Sequence, residues 1–116
     1  MKINTVQVLK NFKGEELKIL SSETINGKEV EKIIPMTLRE IITEVLNRES
    51  NEHRLSAEVK NKAFQIMRKL WDNKETDLTV EQRALIMERA KIFLPTMTAG
   101  LVCEILEPRG NKTEPD

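Results

Sequence analysis

The hydrophobic pattern changes period at Pro35, and that change limits the chain to a mixed architecture. Before it, apolar residues alternate with polar ones, with Val6 and Val8 around Gln7 and Leu17 and Ile19 around Lys18. A two-residue period is that of a strand with one face turned inward. After Pro35 the apolar residues recur three and four apart, as in Leu38, Ile41, Ile42, Val45 and Leu46, which is the stripe of an amphipathic helix. Pro35 separates the two regimes because it lacks the N–H that a ladder needs and disfavours helix in the residue before it. The pattern predicts an α+β domain, an N-terminal β-hairpin or small antiparallel meander packed on three to four α-helices around a shared core.

The alternating residues between Ile3 and Leu20 flank Asn11-Phe12-Lys13-Gly14 and predict a hairpin there with one face buried, Gly14 supplying the positive φ of the connection. Asn26-Gly27 is a second turn signal, between Thr24-Ile25 and the apolar Val30, Ile33 and Ile34. It predicts a third strand and leaves room for a fourth.

Helix starts are marked by capping residues. Thr37 with Glu40, and Thr79 with Gln82, have the capping-box spacing, and Ser56 with Glu58 in the following turn suits a third start. The second helix places Val59, Ala63, Phe64 or Ile66, Met67 and Leu70 inward, with Trp71 at its end; the third places Val80, Leu85, Ile86, the stem of Arg89, Ile92 and Phe93. Asn47–Arg54 and Asp72–Asp77 read as polar loops. Pro95 interrupts the pattern and suits the first turn of a final helix carrying Met97, Ala99, Leu101, Val102, Cys103, Ile105 and Leu106. The apolar excess of that helix fits either self-association or the centre of the bundle, and Gly100 within it suggests close packing against another backbone. Residues 1–107 are expected to form one domain, with 108–116 a disordered tail.

Composition narrows the chemistry. The 116 residues carry 19 Lys+Arg and 19 Asp+Glu, so general attraction to nucleic acid or an acidic membrane has no net charge behind it. Only three Phe and one Trp are present and Tyr is absent, so the core must be aliphatic. A single cysteine, an N-terminus broken by Lys2, Asn4 and Gln7, and no apolar run long enough to span a bilayer lead to the expectation of a cytoplasmic protein with no membrane association.

Catalytic and metal sites are poorly supplied. His53 lies in a polar stretch and Cys103 in an apolar one, and together they fall short of the four ligands of a structural zinc. Asp72, Glu75 and Asp77 resemble a calcium loop only loosely, without its glycine and closing glutamate. Phosphate-loop, dinucleotide, nucleophile-elbow and zinc-protease motifs do not occur. The reading is therefore no catalytic residue, no cofactor and no metal.

Two interaction readings remain. Lys60, Lys62, Arg68 and Lys69 concentrate positive charge on the second helix and are the candidate nucleic-acid contacts, although Asp72, Glu75 and Asp77 follow them and no aromatic residues interleave for stacking. Trp71 is either a cap on the core or an anchor for a protein partner.

The opening Lys2-Ile3-Asn4-Thr5-Val6-Gln7-Val8-Leu9-Lys10-Asn11-Phe12-Lys13-Gly14-Glu15 resembles the start of a group of small tailed-bacteriophage and prophage proteins. Met36-Thr37-Leu38-Arg39-Glu40-Ile41-Ile42 and Leu78-Thr79-Val80-Glu81-Gln82-Arg83-Ala84-Leu85-Ile86, followed by a Pro-containing apolar terminus, are similar to the group's helices. The resemblance covers most of the chain outside Asn47–Asp77. It implies a hairpin followed by helices, a phage or prophage setting and no catalytic residue to carry over. The expected function is a non-enzymatic accessory protein in the bacterial cytoplasm that binds another macromolecule, a host factor or a phage assembly component. A homo-oligomer is compatible with this, and a small nucleic-acid-associated regulator is the alternative.

Overall fold

The computed structural model describes residues 2–107, so the expected tail at 108–116 lies outside the described residues. The order is β1 (Lys2–Asn4), β2 (Lys18–Ile25), β3 (Lys28–Pro35), α1 (Leu38–Asn47), α2 (Ala57–Asp72), β4 (Glu75–Asp77), α3 (Val80–Phe93) and α4 (Thr96–Leu106). This is an α+β fold with two two-stranded antiparallel sheets, β1 with β4 and β2 with β3.

The helices begin where their caps require. The Thr37, Ser56 and Thr79 hydroxyls accept the amides of Glu40, Val59 and Gln82, and Gln82 completes a capping box by accepting the Thr79 N–H at 3.0 Å. Pro95 stands at the cap of α4, one position before its first residue. The central helix is α1 rather than the more apolar α4. It packs against both α2 and α3, and its Leu38, Ile41, Ile42, Val45 and Leu46 are all buried, whereas α4 packs on α3 and leaves Met97, Leu101, Cys103 and Ile105 half-covered. Ala63, Ile66 and Leu70 of α2, Leu78, Ile86 and Ala90 near and on α3, and Val102 and Leu106 of α4 complete one aliphatic core, joined by Ile3 and Leu9.

The strands depart from the pattern in the sequence. The turn at Asn11–Gly14 forms, with Gly14 at φ 84° and the Asn11 N–H bonded to the Glu15 carbonyl at 2.9 Å, but only a single bridge between Lys10 and Glu16 follows it. The long hairpin is the later one, eight residues on each side of Asn26-Gly27, whose φ angles of 53° and 76° are those of a type I′ turn. Burial divides the two segments: Ile3, Thr5 and Leu9 of the N-terminal segment are buried, whereas β3 is exposed apart from the half-buried Ile34.

β1 pairs instead with β4, inside the segment expected as a loop, setting Ile3 opposite Thr76 with both side chains inward. Thr5 locks this pairing: its N–H donates to the Lys74 carbonyl at 2.7 Å, and its buried hydroxyl reaches the Asn73 and Lys74 carbonyls at 2.9 and 3.0 Å. The carbonyls of Thr5 and Gln7 then accept the Arg39 and Leu38 amides, so the N-terminal segment supplies partners for donors that the first turn of α1 leaves open.

One open alternative is resolved and two further expectations are corrected. Of Phe64 and Ile66, Ile66 is the buried one. Val80 is 72% exposed, because the first residue of α3 lies about 120° around the helix from the buried Ile86. Gly100 meets no close backbone, since a Cβ built on it has nothing within 4 Å. Gly100→Ala is therefore expected to stabilise the protein by about 0.5–1 kcal/mol through helix propensity, read as a higher midpoint in urea.

Candidate functional site

The β2–β3 hairpin is the largest feature that the core does not absorb. Asn26-Gly27 gives a turn whose twist matches the strands, and the register sets Ile19 opposite Ile34, Leu20 opposite Ile33 and Glu23 opposite Val30. Opposite residues share a face, so Leu20 and Ile33 lie on one side and Ile19, Ile25, Val30 and Ile34 on the other. Leu20 is 62% and Ile33 69% exposed, and Ile25 and Val30 are also open to solvent. The strands make their contacts chiefly with each other. The hairpin is anchored at its root, where the Met36 N–H donates to the Leu17 carbonyl, the Leu17 N–H to the Leu9 carbonyl, and the Leu9 N–H to the Met36 carbonyl, at 2.8, 2.8 and 2.9 Å. Lys32 and Glu23, 3.6 Å apart, add one exposed ion pair.

Sequence reasoning located the Asn26-Gly27 turn and the apolar residues beside it but not their exposure. Alternation shows which residues share a face; it does not show whether another layer covers that face.

The four basic residues of α2 do not converge. At about 100° per residue, Lys60 and Lys62 point to nearly opposite sides of the helix. Lys60 pairs with Glu49 at 3.6 Å, Lys62 with Glu58 at 3.5 Å and Arg68 with Asp72 at 3.8 Å. Lys69 is committed to the fold, its Nζ donating to the Gln82 side chain at 3.0 Å and to the Asp77 carbonyl.

Trp71 is held against α1. Its indole N–H donates to the Thr43 hydroxyl at 2.7 Å, and the Arg39 guanidinium lies 4.3 Å from the ring centroid, leaving the ring partly exposed. Trp71 is thus a clasp between α1 and α2 with one edge in water. Trp71→Phe keeps the apolar contact but loses the hydrogen bond, and is expected to lower stability by about 1 kcal/mol in chemical denaturation.

His53 and Cys103 remain separate features. The exposed His53 sets its ring edge-on to Phe93, with centroids 6.3 Å apart, while burial on α4 pushes the Cys103 thiol up from its ordinary value. Among the described residues no hydrogen bond links them, and no three His, Cys, Asp or Glu residues are grouped to hold a metal ion. Asp72, Glu75 and Asp77 lie at the end of α2 and along β4, where the strand's ladder organises the backbone. An open groove of about 590 Å³ runs between α2 and α3, with Val59, Ile66 and Leu85 along it and Lys62, Glu81 and Glu88 at its margins. Among the described residues no helix is long and apolar enough to cross a membrane.

Neither a family model, nor a curated protein, nor a solved structure matches this chain.

Proposed function

We propose that this chain is a non-enzymatic accessory protein of a tailed bacteriophage or prophage that acts in the bacterial cytoplasm by binding another protein, a host factor or a component of phage assembly, through the β2–β3 hairpin. The observation that carries the reading is the pair Leu20 and Ile33, two large aliphatic side chains opposite each other on a projecting hairpin and more than half exposed. Burying a leucine or isoleucine gains about 1.5–3 kcal/mol, so a partner covering this pair recovers energy that the monomer leaves unused. The phage setting rests on the resemblance of the opening segment and the two helix starts.

The nucleic-acid reading has less behind it. Lys60, Lys62 and Arg68 each have a carboxylate within 4 Å, and Lys69 is drawn into the fold.

The test is affinity capture of the tagged chain during phage growth, run beside the double variant Leu20→Glu, Ile33→Glu. The expected result is a protein retained by the unaltered chain and lost from the variant, with both showing the same thermal unfolding. Equal retention by the two would remove the hairpin from the reading. Duplex binding that falls steeply with salt and disappears when Lys60, Lys62, Arg68 and Lys69 are changed to Glu would favour the nucleic-acid regulator instead.

A further inference from the structure

Among the described residues the outer edges of β2 and β3 pair with no further strand, and the two edges differ in kind. β3 presents Lys28, Glu29, Glu31 and Lys32 and ends in Pro35, the charges and proline by which proteins keep a strand edge from pairing with another chain. β2 has no proline and two charges, Lys18 at its root and Glu23, so that residues 19–25 hold a single one. A lone two-stranded hairpin open on both faces is marginal in water. An unguarded edge on such a hairpin calls for another strand.

The backbone phase shows what β2 offers. The two-residue turn pairs Ile25 with Lys28, and the Met36 N–H donates to the Leu17 carbonyl at the root, so odd-numbered positions of β2 direct their polar groups toward β3. Leu20, Ser22 and Thr24 therefore direct N–H and C=O outward.

We propose that two copies of the chain pair antiparallel along β2 about a two-fold axis at Ser22, forming a four-stranded sheet in the order β3–β2–β2–β3. An axis of this kind passes through one residue position, which then faces its own copy. At Ser22 it sets Ile19 opposite Ile25 of the second copy, Leu20 opposite Thr24, and Glu23 opposite position 21. No like charges meet, and the three outward-facing residues find bonding partners. Ile34, Ile19 and the second copy's Ile25 then form a continuous apolar row, present twice by symmetry.

The alternatives are worse. Moving the axis to position 21 sets Ile19 against Glu23, and moving it to Glu23 sets that carboxylate against itself. On β3, axes at Glu29, Glu31 or Lys32 each place a charge against its own copy. An axis at Val30 opposes Lys28 to Lys32 and Glu29 to Glu31, and an axis nearer the root needs a donor at Pro35 that proline lacks. The charge pattern selects β2 and the register about Ser22.

Light scattering over a dilution series is expected to give a twofold rise in mass toward high concentration and no more. Ser22→Lys and Ser22→Glu, each placing like charges on the axis, are each expected to stay at the mass of one chain with the helical circular dichroism unchanged, while their equimolar mixture recovers the mass of two. In a Cys103→Ala background, Ser22→Cys lies opposite itself at disulfide range and is expected to cross-link on oxidation, whereas Thr24→Cys, opposite Leu20, is not. The proposal is overturned if the unaltered chain holds the mass of one chain at every concentration, if it grows past two, if the Lys and Glu variants still self-associate, or if the two cysteine variants cross-link alike. A one-chain mass in a protein that still captures its partner through Leu20 and Ile33 would overturn this pairing and leave the binding function standing.

Discussion

Ile42→Ala is expected to lower the unfolding free energy by about 2–5 kcal/mol, the range for truncating a fully buried aliphatic side chain whose neighbours cannot close the gap. Ile42 belongs to α1, the helix against which both α2 and α3 pack, and it is completely buried within the one aliphatic cluster. With so few aromatic residues to share the burial, the core depends on Leu and Ile positions of this kind, and a domain of this size has only about 5–15 kcal/mol of net stability to lose. The measurement is urea unfolding followed by the fluorescence of Trp71, which reports on the α1–α2 contact directly. A shift of the midpoint matching less than about 1 kcal/mol would mean that α1 is not the centre of the packing.

Arg89→Met is expected to cost about 2–4 kcal/mol by a different route. Arg89 is 5% exposed, and its guanidinium donates to the carbonyl of Arg48 at the end of α1 and to the carbonyl of His53, at 3.3 Å from each terminal nitrogen. It also stands 4.7 Å from the centroid of the Phe93 ring. A cation at the C-terminus of α1 meets the negative end of the helix dipole, and the same group ties the connection between α1 and α2 to α3. Methionine fills much of the volume but leaves those carbonyls without their donor in a place where water has little access. Arg89→Lys should recover only part of the loss, since one ammonium lacks the planar fork that reaches both carbonyls. Thermal unfolding of the three proteins side by side checks the order: unaltered, then Lys, then Met.

The helices were legible because the information that starts a helix is local. A hydroxyl at Thr37, Ser56 or Thr79 acts on an amide three residues away, and the apolar stripes of Leu38–Leu46 and Ala63–Leu70 repeat within a few turns. The type I′ turn at Asn26-Gly27 was legible for the same reason. The pairing of β1 with β4 was not, because Ile3 and Thr76 are brought together by the path of the intervening hairpin and two helices and by one buried threonine, and neither strand carries a signal of the other. Arg89 was expected to bury its stem; that its charged end is also buried depends on carbonyls from a connection far away in sequence.

The candidate site shows the same division. The apolar residues of the hairpin and the basic residues of α2 could be named from the sequence, but Lys60, Lys62, Arg68 and Lys69 prove dispersed and partnered, and Trp71 is bound to Thr43 and Arg39. The sequence by itself determined where helices begin, where the chain turns and which side chains share a face, since each depends on hydrogen bonds and sterics within a few residues. Only the tertiary structure decided that the Leu38 and Ile42 stripe is covered while the Leu20 and Ile33 pair stands open. Burial is a property of what packs against a face, and the helices that enclose α1 leave the hairpin beyond their reach.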